Sequence, residues 1–177
     1  GVKNLGENRV QSLLEKYEHL QKTPVWHLIG HLQTNKVKYI ADKVSMIHSV
    51  DSIKLAEEID RRFFEAGRTA DILVQVNVSG EESKFGIRPE DAFSFMEHVS
   101  VLKNVRVRGL MTMAPKTDRP DECRKFFYSL HKLSVDIQDK KYDNINMGHL
   151  SMGMSGDFRE AILEGATIVR IGSALFC

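Results

Sequence analysis

Leu150-Ser-Met-Gly-Met-Ser-Gly-Asp-Phe158 and, shortly after it, Ile168-Val-Arg-Ile-Gly-Ser173 decide the fold of this chain. Each is an apolar run that ends in a turn of small residues, and a single arginine sits inside the second. A parallel barrel builds an anion site this way. Backbone N–H groups of glycine-containing loops and neighbouring serine hydroxyls converge at the carboxyl ends of consecutive strands. Arg170, two residues before Gly172, is expected to point a fixed positive charge into the same mouth. The pattern implies a site for a phosphorylated small molecule.

Working outward, the chain alternates strand and helix almost without interruption. Strands are predicted at 2–5, 25–29, 46–50, 72–78, 105–111, 145–151 and 167–171. Helices are predicted at 8–20, 35–42, from Asp51 or Ser52 to about 66, at 89–100, at 120–139 and after Ser155, with a stub at 173–177. The helix assignments rest on apolar spacing such as Val10, Leu13, Leu14, Tyr17 and Leu20, and the strand assignments on β-branched runs bounded by turn residues. Regular alternation implies parallel strands with helices outside, in an open doubly wound sheet or a closed barrel. The barrel is favoured. No G-x-G-x-x-G follows the first strand, and the phosphate-type loops fall after the last two strands. The expected fold class is α/β, a TIM-type (β/α)8 barrel lacking its first strand and the end of its last helix. Residues 1–177 are expected to form one barrel domain that is incomplete at its amino end.

Composition narrows the partners. Twenty-five basic residues against 24 acidic ones leave a formal charge of +1, which offers no electrostatic footprint for nucleic acid or an anionic membrane. No apolar run approaches the roughly 20 residues that a membrane helix needs. The first residues do not form a signal segment. Two cysteines, Cys123 and Cys177, are too few for a disulfide framework and are read as free structural thiols. A reducing, cytoplasmic setting is expected.

Six motifs occur in a fixed order: Gly6-Glu-Asn-Arg-Val-Gln11, Trp26-His-Leu-Ile-Gly-His-Leu-Gln-Thr-Asn-Lys36, Asn77-Val-Ser-Gly-Glu-Glu-Ser-Lys-Phe-Gly-Ile87, Gly109-Leu-Met-Thr-Met-Ala-Pro115, Leu150–Phe158 and Val169-Arg-Ile-Gly-Ser173. Over nearly its whole length the chain resembles the YggS/PROSC-type pyridoxal phosphate homeostasis proteins, which share the barrel of alanine racemases and lack the racemases' second domain. The resemblance implies pyridoxal 5'-phosphate as cofactor. It also implies a Schiff-base lysine on the family's first strand, a position expected before Gly1. None of Lys3, Lys36 and Lys84 matches that position.

The same resemblance assigns the cofactor-binding residues as Asn8, Ser151, Ser155, Arg170, Gly172 and Ser173. At least one of Ser151 and Ser155 is implied to donate to the phosphate, and Ser155 also reads as the cap of the following helix. Gly153 is expected to allow close backbone approach. Gly172 and Ser173 are implied to supply backbone N–H groups. Arg170 is implied to face the pyridine nitrogen, to which a guanidinium can only donate. Asn8 is expected to reach the ring or its hydroxyl, with Glu7 orienting its neighbours. His27 reads as a satisfied core group. Met111, Met113 and Met154 are candidates for an apolar wall.

Three functions fit this reading. The favoured one is a pyridoxal phosphate carrier or homeostasis protein without robust amino-acid turnover, expected to be monomeric in the intact family fold. The second is a small racemase or related enzyme, which needs an acid/base on each face of its substrate. In racemases those come from the lysine and from a tyrosine of the second domain. The third is an unrelated phosphate-binding barrel. Were residues 1–177 the whole polypeptide, an open sheet edge would be expected to make it poorly soluble or dimeric, with weakened cofactor binding.

Overall fold

A computed structural model describes residues 1–20, 24–115, 117 and 119–175. Seven strands pair in the order of the sequence, all parallel: β1 (Asn4–Glu7), β2 (Val25–Leu28), β3 (Met46–Val50), β4 (Ala70–Gln75), β5 (Val105–Met111), β6 (Ile145–Met154) and β7 (Ile168–Arg170). Between them run α1 (Val10–Leu20), α2 (Ile53–Glu65), α3 (Ala92–Ser100), α4 (Arg124–Gln138) and α5 (Phe158–Leu163). The sheet curls into a nearly closed barrel, so far that His48 on β3 bonds Ser151 on β6 across the interior. Among the described residues, β1 and β7 each pair with a single strand. No described helix is long and apolar enough to cross a membrane.

Side chains of a strand alternate between its two faces, and here the alternation separates two apolar clusters. The larger lies between sheet and helices and holds Trp26, Leu28, Ile47, Ile72, Val74, Leu110 and Met152. It also takes the apolar stripe of α2, with Leu55, Ala56, Ile59 and Phe63, and Phe127 and Leu130 of α4. Residues one step along the same strands form the smaller cluster inside the barrel: Met46, Leu73 and Met111, with Ile168 packed against them. Two residues further towards the carboxyl ends, the same inner face carries His48 and Arg170. His27, between Trp26 and Leu28, and Ser151, between Leu150 and Met152, face inward by the same rule.

At the opposite end of the barrel, Asn144 ties the base together. Its amide nitrogen lies 3.1–3.2 Å from the carbonyls of Val99, Leu102 and Val105. The amide of Asn104 donates to the Asp60 carboxylate on α2 at 2.6 Å.

Several elements differ from their sequence prediction. The first strand runs from Asn4 rather than from residue 2, because Val2 is exposed and the ladder begins where Asn4 meets Val25. A 3₁₀ turn, Thr34–Tyr39, replaces the helix predicted at 35–42. β4 stops at Gln75, where Val76 leaves to bridge Ile87 and Asn77 organises a loop by accepting from Ser79 and Gly80. The helices predicted from Pro89 and from Pro120 each open with a 3₁₀ turn, Pro89–Asp91 and Pro120–Cys123. Cys123 is therefore in a turn, buried, with its thiol 3.7 Å from the Pro115 carbonyl. Cys177, and the end of the stub predicted at 173–177, lie outside the described residues.

Candidate functional site

The mouth of the barrel is built by the carboxyl ends of β5, β6 and β7. Arg170 closes β7 on the inward face and is half-buried. Its guanidinium donates to Ser151 Oγ at 2.6 Å and to the Thr112 carbonyl at 2.9 Å. Both acceptors are neutral. Burial lowers its pKa to about 10, partly offset by Asp157, so the group remains charged at neutral pH. A guanidinium has five N–H donors. A half-buried cation held by two neutral oxygens thus keeps donors for a ligand.

Above it lies the loop joining β7 to the 3₁₀ turn Ser173–Leu175. The N–H groups of Gly172 and Ala174 point at one atom, Ser155 Oγ, from 3.2 and 3.3 Å. A Cβ on Gly172 would meet nothing within 4 Å, so the backbone there faces open space. Ser173 is exposed at the same rim. Ser155, Gly172, Ser173 and Ala174 together form a small polar cradle beside a fixed positive charge.

Ser155 does not cap the following helix as predicted. That helix starts at Phe158, and Asp157 takes the cap position, its carboxylate accepting the Met154 N–H at 2.6 Å. The Ser155 hydroxyl is thereby left to the β7 loop. At Gly153 the close approach is to helix α5: its φ is +88°, and a Cβ would come within 2.6 Å of the Ala161 methyl. Only glycine lets β6 turn there while α5 packs close.

The two serines of the Ser-x-Gly-Met-Ser motif therefore part company. Ser151 is fully buried below the cradle, and its hydroxyl is taken by Arg170 and by His48 Nδ1 at 2.9 Å. It meets the mouth only through Arg170. From His48 the contacts continue, Nε2 lying 2.8 Å from His27 Nδ1. Burial, then the neighbouring charges of His27, Arg170 and His149, push His48 down to about 3. His27 is lowered as well, by burial and by His149. Both imidazoles are neutral at physiological pH. Among the described residues, no three His, Cys, Asp or Glu side chains gather into a metal site.

Asn8 falls on the other side of the mouth. It follows β1, is exposed, and packs its backbone on Gly30, where a Cβ would come within 2.3 Å of the Asn8 carbonyl. Its side chain lines a separate cavity of about 480 Å³ with Arg9, Gln11, His31, Gln33 and Lys36. Glu7 is paired with Lys16. Met113 and Met154 are exposed, whereas Met111 lies below in the inner apolar cluster. Lys3 precedes β1, at the end of the barrel away from the mouth; Lys36 lies 5.7 Å from the Tyr39 ring, and Lys84 is 3.7 Å from Glu81.

Sequence reasoning missed His48 and Thr112. Met46-Ile-His-Ser-Val50 is buried on both faces, so no alternation marks His48 as different from its neighbours. The usable signal was its position two residues beyond Met46 on an inward face. Thr112 acts through its carbonyl, which leaves no trace in residue type.

The alanine racemase N-terminal domain model matches residues 1–177. A pyridoxal phosphate homeostasis protein of Aquifex aeolicus is 50% identical over 99% of this chain and 77% of its own length, and one of Pseudomonas aeruginosa is 41% identical over 99% and 74%. The chain belongs to the alanine racemase N-terminal domain family, among the pyridoxal phosphate homeostasis proteins. In structure it is similar to Synechococcus elongatus PipY without PLP, with a TM-score of 0.90 at 37% identity over 97% of this chain and 80% of that one. The PipY structure with PLP bound gives 0.87 at 35% identity over the same shares. An alanine racemase of Clostridium difficile shares the fold, with a TM-score of 0.77 at 16% identity.

Proposed function

We propose that this chain binds pyridoxal 5'-phosphate in the mouth between β6 and β7 and serves in the homeostasis of that cofactor, without robust amino-acid turnover. One observation carries the reading: a half-buried guanidinium, hydrogen-bonded only to neutral oxygens, closes the strand that leads into a loop whose Gly172 and Ala174 N–H groups converge on the Ser155 hydroxyl. That donor set suits a molecule with a phosphate at one end and an acceptor nitrogen at the other. The cradle of Ser155, Gly172, Ser173 and the Ala174 N–H receives the phosphate. Arg170 donates to the ring nitrogen, with Ser151 behind it. Asn8, whose side chain lines the separate cavity beyond β1, is not part of this donor set. When bound, the cofactor supplies a reactive aldehyde and an electron-withdrawing ring.

Arg170 bears on what the site does with its ligand. With a pKa of about 10 it remains an arginine cation and has no lone pair to give up. It holds the ring nitrogen unprotonated, which weakens the electron sink that carbanion chemistry on this cofactor draws upon. This favours holding over turnover. The near-balanced charge gives no footprint for a nucleic-acid partner, and two cysteines, too few for a disulfide framework, fit a cytoplasmic setting.

Absorbance and fluorescence titration of the protein with pyridoxal 5'-phosphate tests the reading, with inorganic phosphate as competitor. Saturable binding that phosphate weakens and that Arg170→Leu lowers is the expected result. Binding that is absent, or indifferent to both changes, overturns the assignment of the site.

A further inference from the structure

The contacts behind Arg170 form a line across the barrel, from β7 through β6 and β3 to β2: Arg170 Nη1 to Ser151 Oγ (2.6 Å), Ser151 Oγ to His48 Nδ1 (2.9 Å), His48 Nε2 to His27 Nδ1 (2.8 Å). Counting donors fixes the sense of this line. A guanidinium only donates, so Ser151 Oγ accepts from Arg170. The hydroxyl has one proton, and among the described residues His48 Nδ1 is the one acceptor within hydrogen-bond reach of this buried group, so His48 Nδ1 accepts it. His48 then carries its own proton on Nε2 and gives it to His27 Nδ1, leaving the His27 proton on Nε2. Every bond runs away from the charge.

We propose that His48 is the positioning residue for Arg170: by fixing the Ser151 hydroxyl it fixes the guanidinium, and so sets where the charge meets the ligand. The proposal rests on the cofactor reading above for the identity of that ligand, and on the structure alone for the bond sequence.

The geometry leaves His48 no second arrangement that satisfies all four groups. A protonated His48 has two donors and no acceptor. Its Nδ1–H and Arg170 would then both donate to Ser151 Oγ, the hydroxyl proton would have no acceptor in the line, and a second cation would sit beside the first. The titratable groups around it, His27 from β2, His149 from β6 and Arg170 from β7, all add positive charge or none. Asp157 acts only on the Arg170 end. The neutral state of His48 is thus built into its surroundings. An unmet hydroxyl at this depth would release Ser151 to rotate and leave Arg170 held by the Thr112 carbonyl alone.

Two measurements test this. Long-range ¹H–¹⁵N NMR of the wild-type histidine rings between pH 5 and 8 is expected to show His48 and His27 neutral with the proton on Nε2. A proton on Nδ1 of either ring, or titration of His48 near 6.5, overturns the bond sequence without recourse to any variant. The second measurement compares affinity for pyridoxal 5'-phosphate with affinity for an analogue in which C–H replaces the ring nitrogen. The wild type is expected to prefer the natural compound by about tenfold. His48→Leu and Ser151→Ala should reduce that preference to about twofold, with affinity for the analogue little changed. His48→Asn, whose amide oxygen can take the place of Nδ1 towards Ser151, should restore most of the preference. Intact binding of both compounds with an unchanged preference in His48→Leu overturns this proposal alone. Failure of the wild type to bind either compound overturns the cofactor reading as well.

Discussion

The two faces of the same strands obey different rules. Outward, Trp26, Leu28, Ile47, Ile72, Val74 and Leu110 meet the helices in a continuous apolar layer, where volume and shape decide what fits. Inward, a small apolar plug of Met46, Leu73 and Met111 supports a polar tier of His27, His48, Ser151 and Arg170. In that tier the count of donors and acceptors decides what fits. A one-residue step along a strand separates a position that tolerates any hydrophobe of suitable size from one that tolerates almost nothing. Stability and ligand recognition should therefore respond separately to substitution.

The largest expected effect is on the outer face. Phe127→Ala should lower the free energy of unfolding by about 3–5 kcal/mol, read from the urea midpoint, and leave cofactor affinity nearly unchanged. A large loss of affinity at temperatures where the variant is folded would break the separation. On the inner face, Arg170→Leu should weaken cofactor binding about 50-fold, or roughly 2.3 kcal/mol, measured by fluorescence titration, and move the urea midpoint far less than Phe127→Ala does.

Acid should act through the inner tier. His48 holds its proton with a pKa of about 3 when folded, against 6.5 for an unperturbed imidazole. The unfolded chain binds the extra proton first, so stability is complete above pH 6.5 and falls as the pH drops from there towards 3. Between pH 7 and 5 the loss from this residue should be about 2 kcal/mol, and thermal melts across that range should show a shallower slope in His48→Leu. His27, lowered as well, acts in the same direction. The smallest effect belongs to the rim: Ser155→Ala should weaken cofactor binding about fivefold, or roughly 1 kcal/mol, by removing one hydroxyl from the phosphate cradle. A larger loss there than at Arg170 would reverse the ranking of the two halves of the site.

Much of the fold was legible because strand and helix periods differ. The bounds expected for Met46–Val50 and Val105–Met111 are those observed, both segments being rich in β-branched and apolar residues and ending at polar or turn residues. Boundaries failed where backbone bonding rather than side-chain type sets them. Gly6 and Glu7 belong to β1 through their ladder with His27 and Leu28, and nothing apolar announces it. The 3₁₀ turns at Thr34, Pro89 and Pro120 looked like helix because apolar spacing over one turn does not distinguish the two. In the site, Arg170 and the Ser155–Gly172 pairing were visible as a charge and small residues at strand ends. The separate positions of Ser151 and Ser155 were not, since only the register of β6 against β7, with its irregularity between Ser151 and Met154, puts one below and the other above.

The polar line across the interior also has a history during folding. Each strand pairs with its successor, so most of the sheet is assembled from neighbours along the chain, yet the His48–Ser151 bond joins residues 103 positions apart. Closing so long a loop is entropically expensive and is repaid only once both halves of the sheet are in place. The direction of the charge at the mouth thus depends on residues drawn from both halves of the chain.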